Sequence, residues 1–255
     1  MTQYSDHFAP KGLRVRGTVV VVPGRGETRA TYARLGRRLA ADAYRVRVVD
    51  TPALDPEDPT ASRAELAARL DAAVEGTADG EDVVRPVVVV AADSGAAAVA
   101  ALLGRAGSSL AVRPDALVLA GLPGRAASPA ASWDDELDVR TSCPTHRSTL
   151  TGDSEVRRGS LEEALPADLA DAIQDADTDL PVLLLVGDAD PLADHEALRR
   201  AAKSLPRARL SVVRGAHHDV LNDLQHRSVA AEIVSFLEAL RNDLQPLISV
   251  QSSAW

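Results

Sequence analysis

The chain has 255 residues, 45% of them apolar and only 3% aromatic, which is enough for one sizeable core built from Val, Leu and Ala. A formal charge of −9 sets the surface against phosphate backbones and anionic bilayers, so nucleic acid is excluded as an expected partner and stable membrane insertion is not expected. Cys143 is the single cysteine, which rules out an intrachain disulfide and leaves no basis for a zinc-thiolate site.

The chain opens with Met1-Thr2-Gln3-Tyr4-Ser5-Asp6-His7, which lacks the positive start and apolar stretch of a signal peptide. No apolar run approaches the ~18 residues that span a bilayer, so a cytoplasmic location is expected. Residues 18–22, Thr-Val-Val-Val-Val, form the first predicted strand and end at Pro23-Gly24. Residues 28–43 follow as a helix with Tyr32, Leu35, Leu39 and Ala40 on one face and Arg34, Arg37, Arg38 and Asp42 elsewhere. A strand over 44–49 ends at Asp50, and a helix over 62–74 carries Leu66 and Leu70 four apart. The strand 87–90 runs into Ala91-Ala92, and the almost wholly small or apolar stretch 96–103 suits a helix buried against a sheet.

A strand over 116–120 closes at Gly121. From Leu122 to Leu180 no strong strand appears, the composition turns to Ala, Ser, Pro, Asp and Arg, and the clearest element is a helical piece over 161–173. A stretch of that length between strands reads as a small cap inserted into a single domain that spans residues 1–255. Beyond it come a strand over 182–186, a helix over 198–205, a strand over 210–213 and a helix over 229–240. Runs apolar on consecutive residues suit strands buried on both faces, and their alternation with helices predicts an α/β fold. Its architecture is a three-layer α/β/α sandwich around a mostly parallel sheet with right-handed crossovers. The last residues, 246–255, make a short apolar tail that could pack on the body or form a homodimer contact.

Four segments carry residues suited to chemistry. In Val90-Ala91-Ala92-Asp93-Ser94-Gly95-Ala96-Ala97 the small-x-nucleophile-x-small pattern of a strained strand-to-helix turn is met by Ala92 and Ala96 around Ser94. The same rule is met by Ala91 and Gly95 around Asp93, with a strand one residue shorter. A helix that starts there points its amino end at the site, so the Gly95 N–H is a candidate oxyanion donor. Val186-Gly187-Asp188-Ala189-Asp190 offers two carboxylates at the carboxyl edge of the sheet, and Gly215-Ala216-His217-His218-Asp219 offers two imidazoles after the next strand. Each segment alone also fits ordinary capping or loop chemistry. Together they place serine, aspartate and histidine in that order, each directly after a strand. The turn Val22-Pro23-Gly24-Arg25-Gly26-Glu27 can supply the second oxyanion N–H; it fits neither G-x-G-x-x-G nor G-x-x-x-x-G-K-[ST], which removes a phosphate-loop reading.

On these segments the chain resembles the α/β-hydrolase superfamily, and within it the monoacylglycerol lipase and lysophospholipase-like serine hydrolases. Pro23-Gly24-Arg25-Gly26-Glu27 with Tyr32 corresponds to that group's His-Gly-x-Gly-Glu opening, and Gly215-Ala216-His217-His218-Asp219 with Asn222-Asp223 to its closing Gly-Ala-x-His-Glu/Asp and Asn-Glu/Asp. The resemblance covers roughly residues 15–121 and 181–240 and implies Ser94, Asp190 and His218 as the triad, choosing Asp190 over Asp188 and His218 over His217. It implies cleavage of a carboxylic ester or thioester, a small-molecule substrate, through an acyl-enzyme whose oxyanion rests on the N–H groups of Arg25 and Gly95. The chain departs from the group in having Pro23 for the usual histidine, Asp50-Thr51-Pro52-Ala53-Leu54-Asp55 for a Gly-His-Gly-x-Ser loop, and a shortened or missing antiparallel hairpin at its start.

Two alternatives compete with this expectation: an enzyme resembling the dehalogenases of the same fold, with Asp93 as nucleophile, and a binding or receptor module without turnover. No cofactor is implied. A metal is not expected either, since His217, His218 and Asp219 are adjacent rather than spaced i, i+4 on a helix. Within the insertion, Cys143-Pro144-Thr145-His146 follows no strand, and Arg140, Arg147, Arg157 and Arg158 read either as attraction for an acidic substrate group or as a solvated face.

Overall fold

The computed structural model describes residues 4–50, 54–55, 57–75, 83–104, 110–125 and 130–253. Residues 51–53 of the departing loop, 126–129 of the insertion and 254–255 of the tail lie outside the described residues. The sheet has seven strands in the order β1-β3-β2-β4-β5-β6-β7. Its strands are β1 (Tyr4–His7), β2 (Thr18–Val22), β3 (Arg45–Val49), β4 (Val87–Ala92), β5 (Ala116–Ala120), β6 (Val182–Gly187) and β7 (Ala208–Val213). Every pairing is parallel except that of β1 with β3, in which Tyr4 lies opposite Val49.

Alternation along the central strands explains why their sequence is continuously apolar. Val20, Val22, Val87, Val89 and Ala91 enter one core with Leu66, Leu70 and Val99, while Val19, Val21, Val88 and Val90 enter the other with Leu39, Ile233 and Leu237. The first core is closed by α2 (Pro59–Val74), α3 (Asp93–Leu103) and α7 (His195–Ser204), the second by α1 (Ala33–Ala41) and α8 (His226–Ala239). This is the expected three-layer sandwich. Among the described residues no helix is long and apolar enough to cross a membrane.

The insertion between β5 and β6 departs from the sequence reading. It carries α4 (Trp133–Arg140), α5 (Pro144–Gly152), a 3₁₀ turn over Ser160–Glu162 and the short α6 (Ala167–Ala170). No continuous helix spans 161–173, because Pro166 removes a donor from the middle of that stretch and the chain restarts at Ala167. The α4 helix escaped the apolar pattern because the residues it buries are Glu136, Leu137 and Arg140. It is capped by Ser132, whose hydroxyl accepts from the Asp135 N–H at 3.2 Å.

Candidate active site

At the carboxyl edge of the sheet β4 runs directly into α3, the strand ending at Ala92 and the helix beginning at Asp93. Strand pairing runs to Ala92, opposite Ala120, and the next residue, Asp93, has φ +44°. An L-residue rarely adopts that conformation, and a strained apex projects its side chain out of the turn. The surroundings admit only small neighbours: a Cβ on Gly24 would lie 2.8 Å from the Asp93 Cβ, and a Cβ on Gly95 would collide with the Pro23 carbonyl. Asp93 is therefore the apex, with Ala91 and Gly95 at the small positions. Ser94, expected there, is one residue further on, in the first turn of α3, and is buried. Gly95, expected as an oxyanion donor, lies a residue past the position that follows the apex and packs against Pro23.

His218 sits between two carboxylates. Its Nδ1 is 3.0 Å from Asp190 Oδ2, and its Nε2 is 3.2 Å from Asp93 Oδ1. Asp190 is held in turn by the Leu192 N–H, which donates to its Oδ1 at 2.9 Å. Asp190 and His218 are thus brought together. Asp188 instead accepts from the Gly215 N–H at 2.6 Å, and His217 bonds to Asp223, at 2.7 Å from its N–H and 3.0 Å from Nδ1. Burial alone would lower the His218 pKa, but the charge and hydrogen bonds of Asp190 and Asp93 push it up to about 10. The imidazole is accordingly a cation at neutral pH.

Arg25 does more than the sequence foresaw. Its backbone N–H donates to Asp93 Oδ2 at 2.8 Å, and its guanidinium grips the same carboxylate through Nε (2.9 and 3.2 Å) and Nη2 (2.8 Å). Both side chains are nearly closed to solvent, at 6% and 4% exposure. Burial would raise the Asp93 pKa, yet Arg25 and His218 hold it well below the usual carboxylate range.

A second charged layer joins this centre to the insertion. Arg140, fully buried, donates to Glu136 at 2.9 and 3.1 Å, to the Arg25 carbonyl at 2.9 Å and to Ser160 Oγ at 2.9 Å, and lies 3.4 Å from Asp219. Burial would lower its pKa, but the carboxylates of Asp219, Glu27, Glu136 and Asp93 raise it. The four arginines read together in the sequence therefore separate: Arg140 is internal, whereas Arg147 pairs with Asp138 at 2.6 Å and Arg157 is largely exposed. His146 is 2.8 Å from Asp219 rather than partnered with Cys143, whose Sγ is 3.6 Å from Arg34. Glu27 accepts from the Gly24 N–H at 2.9 Å and from the Tyr32 hydroxyl. Burial and the nearby Asp219 push its pKa up to about 7, against the pull of Arg140 and His146.

Glu27, His146 and Asp219 offer ligand atoms within 4.8 Å of one another and are the group best placed to hold a cation among the described residues. Arg140 already supplies positive charge to that cluster. The insertion is tied directly to the histidine loop, for the N–H groups of His218 and Asp219 donate to the carbonyls of Val139 (3.2 Å) and Arg140 (2.8 Å). A small pocket of about 10 Å³, space for about one water, is lined by Asp93, His218, Tyr32, Val220, Leu221 and Asn222.

Residues 19–232 match the model of the family described as alpha/beta hydrolase. No curated protein matches the sequence significantly. Among solved structures, a soluble variant of monoglyceride lipase from Saccharomyces cerevisiae superposes with a TM-score of 0.69 at 17% identity, covering 93% of this chain and 91% of that one. The monoacylglycerol lipase of Paleococcus ferrophilus gives 0.67 at 20% identity, over 93% of this chain and 98% of that one. A putative non-heme bromoperoxidase, BpoC, from Mycobacterium tuberculosis gives 0.64 at 16% identity, over 93% and 95%. At these identities the likeness is one of fold.

Proposed function

The chain belongs to the alpha/beta hydrolase family, and we propose that within it the nucleophile is the Asp93 carboxylate, attacking a saturated carbon that bears an anionic leaving group. The observation that carries this reading is the placement of Asp93, not Ser94, at the apex and against His218 Nε2. An ester-cleaving serine mechanism needs Ser94 in that place.

The chemistry follows from the charges. One oxygen of Asp93 forms a bond to the substrate carbon as the carbon–halogen bond breaks, leaving an alkyl ester on Asp93 and a halide beside Arg25. Esterification removes one of the two carboxylates that hold the proton on His218, so the imidazole releases it to solvent and becomes a base. Water then attacks the Asp93 Cγ and gives a proton to His218 Nε2. The oxyanion forms on Oδ2, already bound by the Arg25 N–H, with the Ser94 N–H at the start of α3 as the second donor. Collapse breaks the bond from Cγ to the alkoxy oxygen, His218 protonates the departing alcohol, and the Asp93 carboxyl so formed passes its remaining proton to the imidazole. The sum is RX and water giving ROH, halide and a proton. The insertion acts as the cap over this site and parts from the histidine loop to admit substrate.

One observation favours a second reading, a binding module without turnover: the Arg25 guanidinium already occupies Asp93. Intact-mass analysis after exposure to 1,2-dibromoethane separates the readings. The expected result is an alkyl adduct that accumulates in His218→Gln, disappears in Asp93→Asn/His218→Gln, and gives wild type one ¹⁸O on the Asp93 peptide after turnover in H₂¹⁸O. A fluorophosphonate adduct on Ser94 without any Asp93 chemistry would return the site to a serine esterase, and no adduct of either kind would leave the binding module.

A further inference from the structure

Asn222 is the polar side chain of the pocket that the contacts so far leave unexplained. It is 1% exposed and lines the pocket with Asp93 and His218, and neither its Oδ1 nor its Nδ2 has a hydrogen-bond partner. Its backbone is well held, with the N–H donating to the Asp219 carbonyl at 2.8 Å and the carbonyl accepting from Arg34. The adjoining Asp223 shows the opposite pattern, since its carboxylate takes hydrogen bonds from Thr141, Ser142 and His217. In this loop the buried side-chain groups without a partner are the Asn222 carboxamide and the Gln225 Oε1, and of the two residues it is Asn222 that lines the pocket with Asp93 and His218. A buried amide left unpaired destabilises a fold, and a leucine of similar size would fill the same space without that cost.

We propose that Asn222 positions the hydrolytic water, accepting one of its protons at Oδ1 while His218 Nε2 takes the other and the oxygen faces the Asp93 Cγ. This rests on the reading of Asp93 as nucleophile. A carboxamide suits the task because it binds water without competing for the proton. Asn222 then acts on the second half-reaction alone, since no water takes part in alkylation.

The test compares wild type with Asn222→Leu, using 1,2-dibromoethane as the probe. Loss of one hydrogen bond to the attacking water lowers kcat by about 10²-fold. The ratio kcat/KM, set by alkylation, stays within about twofold, and the alkyl-enzyme accumulates in the mass spectrum. The melting temperature is unchanged or higher, the opposite of what loss of a structural amide would give. Normal turnover in Asn222→Leu, with an adduct still trapped in His218→Gln, would remove Asn222 from the reaction and leave Asp93 in place. A fall in kcat/KM without accumulation would also overturn the proposal, by moving Asn222 to the first step. Absence of an adduct in every variant would remove the role of Asp93 and this inference with it.

Discussion

Replacing Asp93 by Asn reproduces the charge of the alkylated enzyme without any substrate, and its effect on His218 can be worked out from the structure. In the wild type the imidazole titrates near 10 while it faces Asp93 at 3.2 Å and Asp190 at 3.0 Å. An opposite charge at such a distance moves a pKa by about 1–3 units, so Asp93→Asn should bring His218 to between about 7 and 9. At pH 8 the neutral fraction then rises from about 1% to between roughly 10% and 90%. Long-range ¹⁵N–¹H NMR of the imidazole nitrogens over pH 6–11 measures this directly, since the two nitrogens separate in shift as the ring loses its proton. The substitution strands the Arg25 cation, which costs about 3–5 kcal/mol for a broken buried pair. For that reason the titration should be repeated in Arg25→Met/Asp93→Asn. A wild-type His218 already neutral at pH 8, or a titration that does not move on loss of Asp93, would refute the claim that alkylation switches the imidazole from cation to base.

Two further outcomes follow from the same geometry. Gly95→Ala should destabilise the fold by more than about 2 kcal/mol in urea unfolding, since its methyl meets the Pro23 carbonyl, whereas Gly152→Ala, with open space around it at the end of α5, should be neutral or gain up to about 1 kcal/mol. Glu27, raised from 4.5 to about 7, binds its proton more tightly folded than unfolded, so its contribution is fully present below about 4.5 and is lost as pH rises through 7, by up to about 3 kcal/mol. Glu27→Gln should flatten that part of the stability–pH curve measured by thermal melting.

The parts of the molecule that read clearly from sequence are those whose cause is apolar burial. Strands β2, β4, β5 and β6 are buried at every position and their sequences are almost wholly Val, Leu and Ala. Strand β1 is not of that kind. It is fastened by Asp6 to Arg45 and Arg47 and by the Tyr4 ring beneath the Arg47 guanidinium at 4.1 Å, contacts without periodicity. The same holds for α4, whose inward face is an ion pair. At the elbow the difficulty was an excess of permissive residues, for Ala91, Ala92, Gly95 and Ala96 allow either Asp93 or Ser94 to stand at the apex. The register of β4 against β5 and the Gly95–Pro23 approach decide it, and both are tertiary facts.

Charge balance in the closed site also narrows the substrate. Asp93 faces Arg25 and His218, Asp190 faces His218, and Arg140 lies between Glu136 and Asp219, so each of these buried carboxylates has a cation against it. Esterification of Asp93 leaves the Arg25 charge uncompensated in a site that water scarcely reaches, a state that is strongly disfavoured unless an anion takes the carboxylate's place. A halide generated in the same step supplies that anion where it is needed. An epoxide does not, because its alkoxide stays attached to the alkyl group and is neutral once it has taken the proton of His218, so the Arg25 charge is left uncompensated. Short haloalkanes should therefore turn over while epoxides of the same size alkylate Asp93 slowly or not at all. Comparing halide release from 1,2-dibromoethane with diol formation from propylene oxide in the wild type, where His218 is present as the acid, tests this, and equal rates would show that Arg25 plays no part in receiving the leaving group.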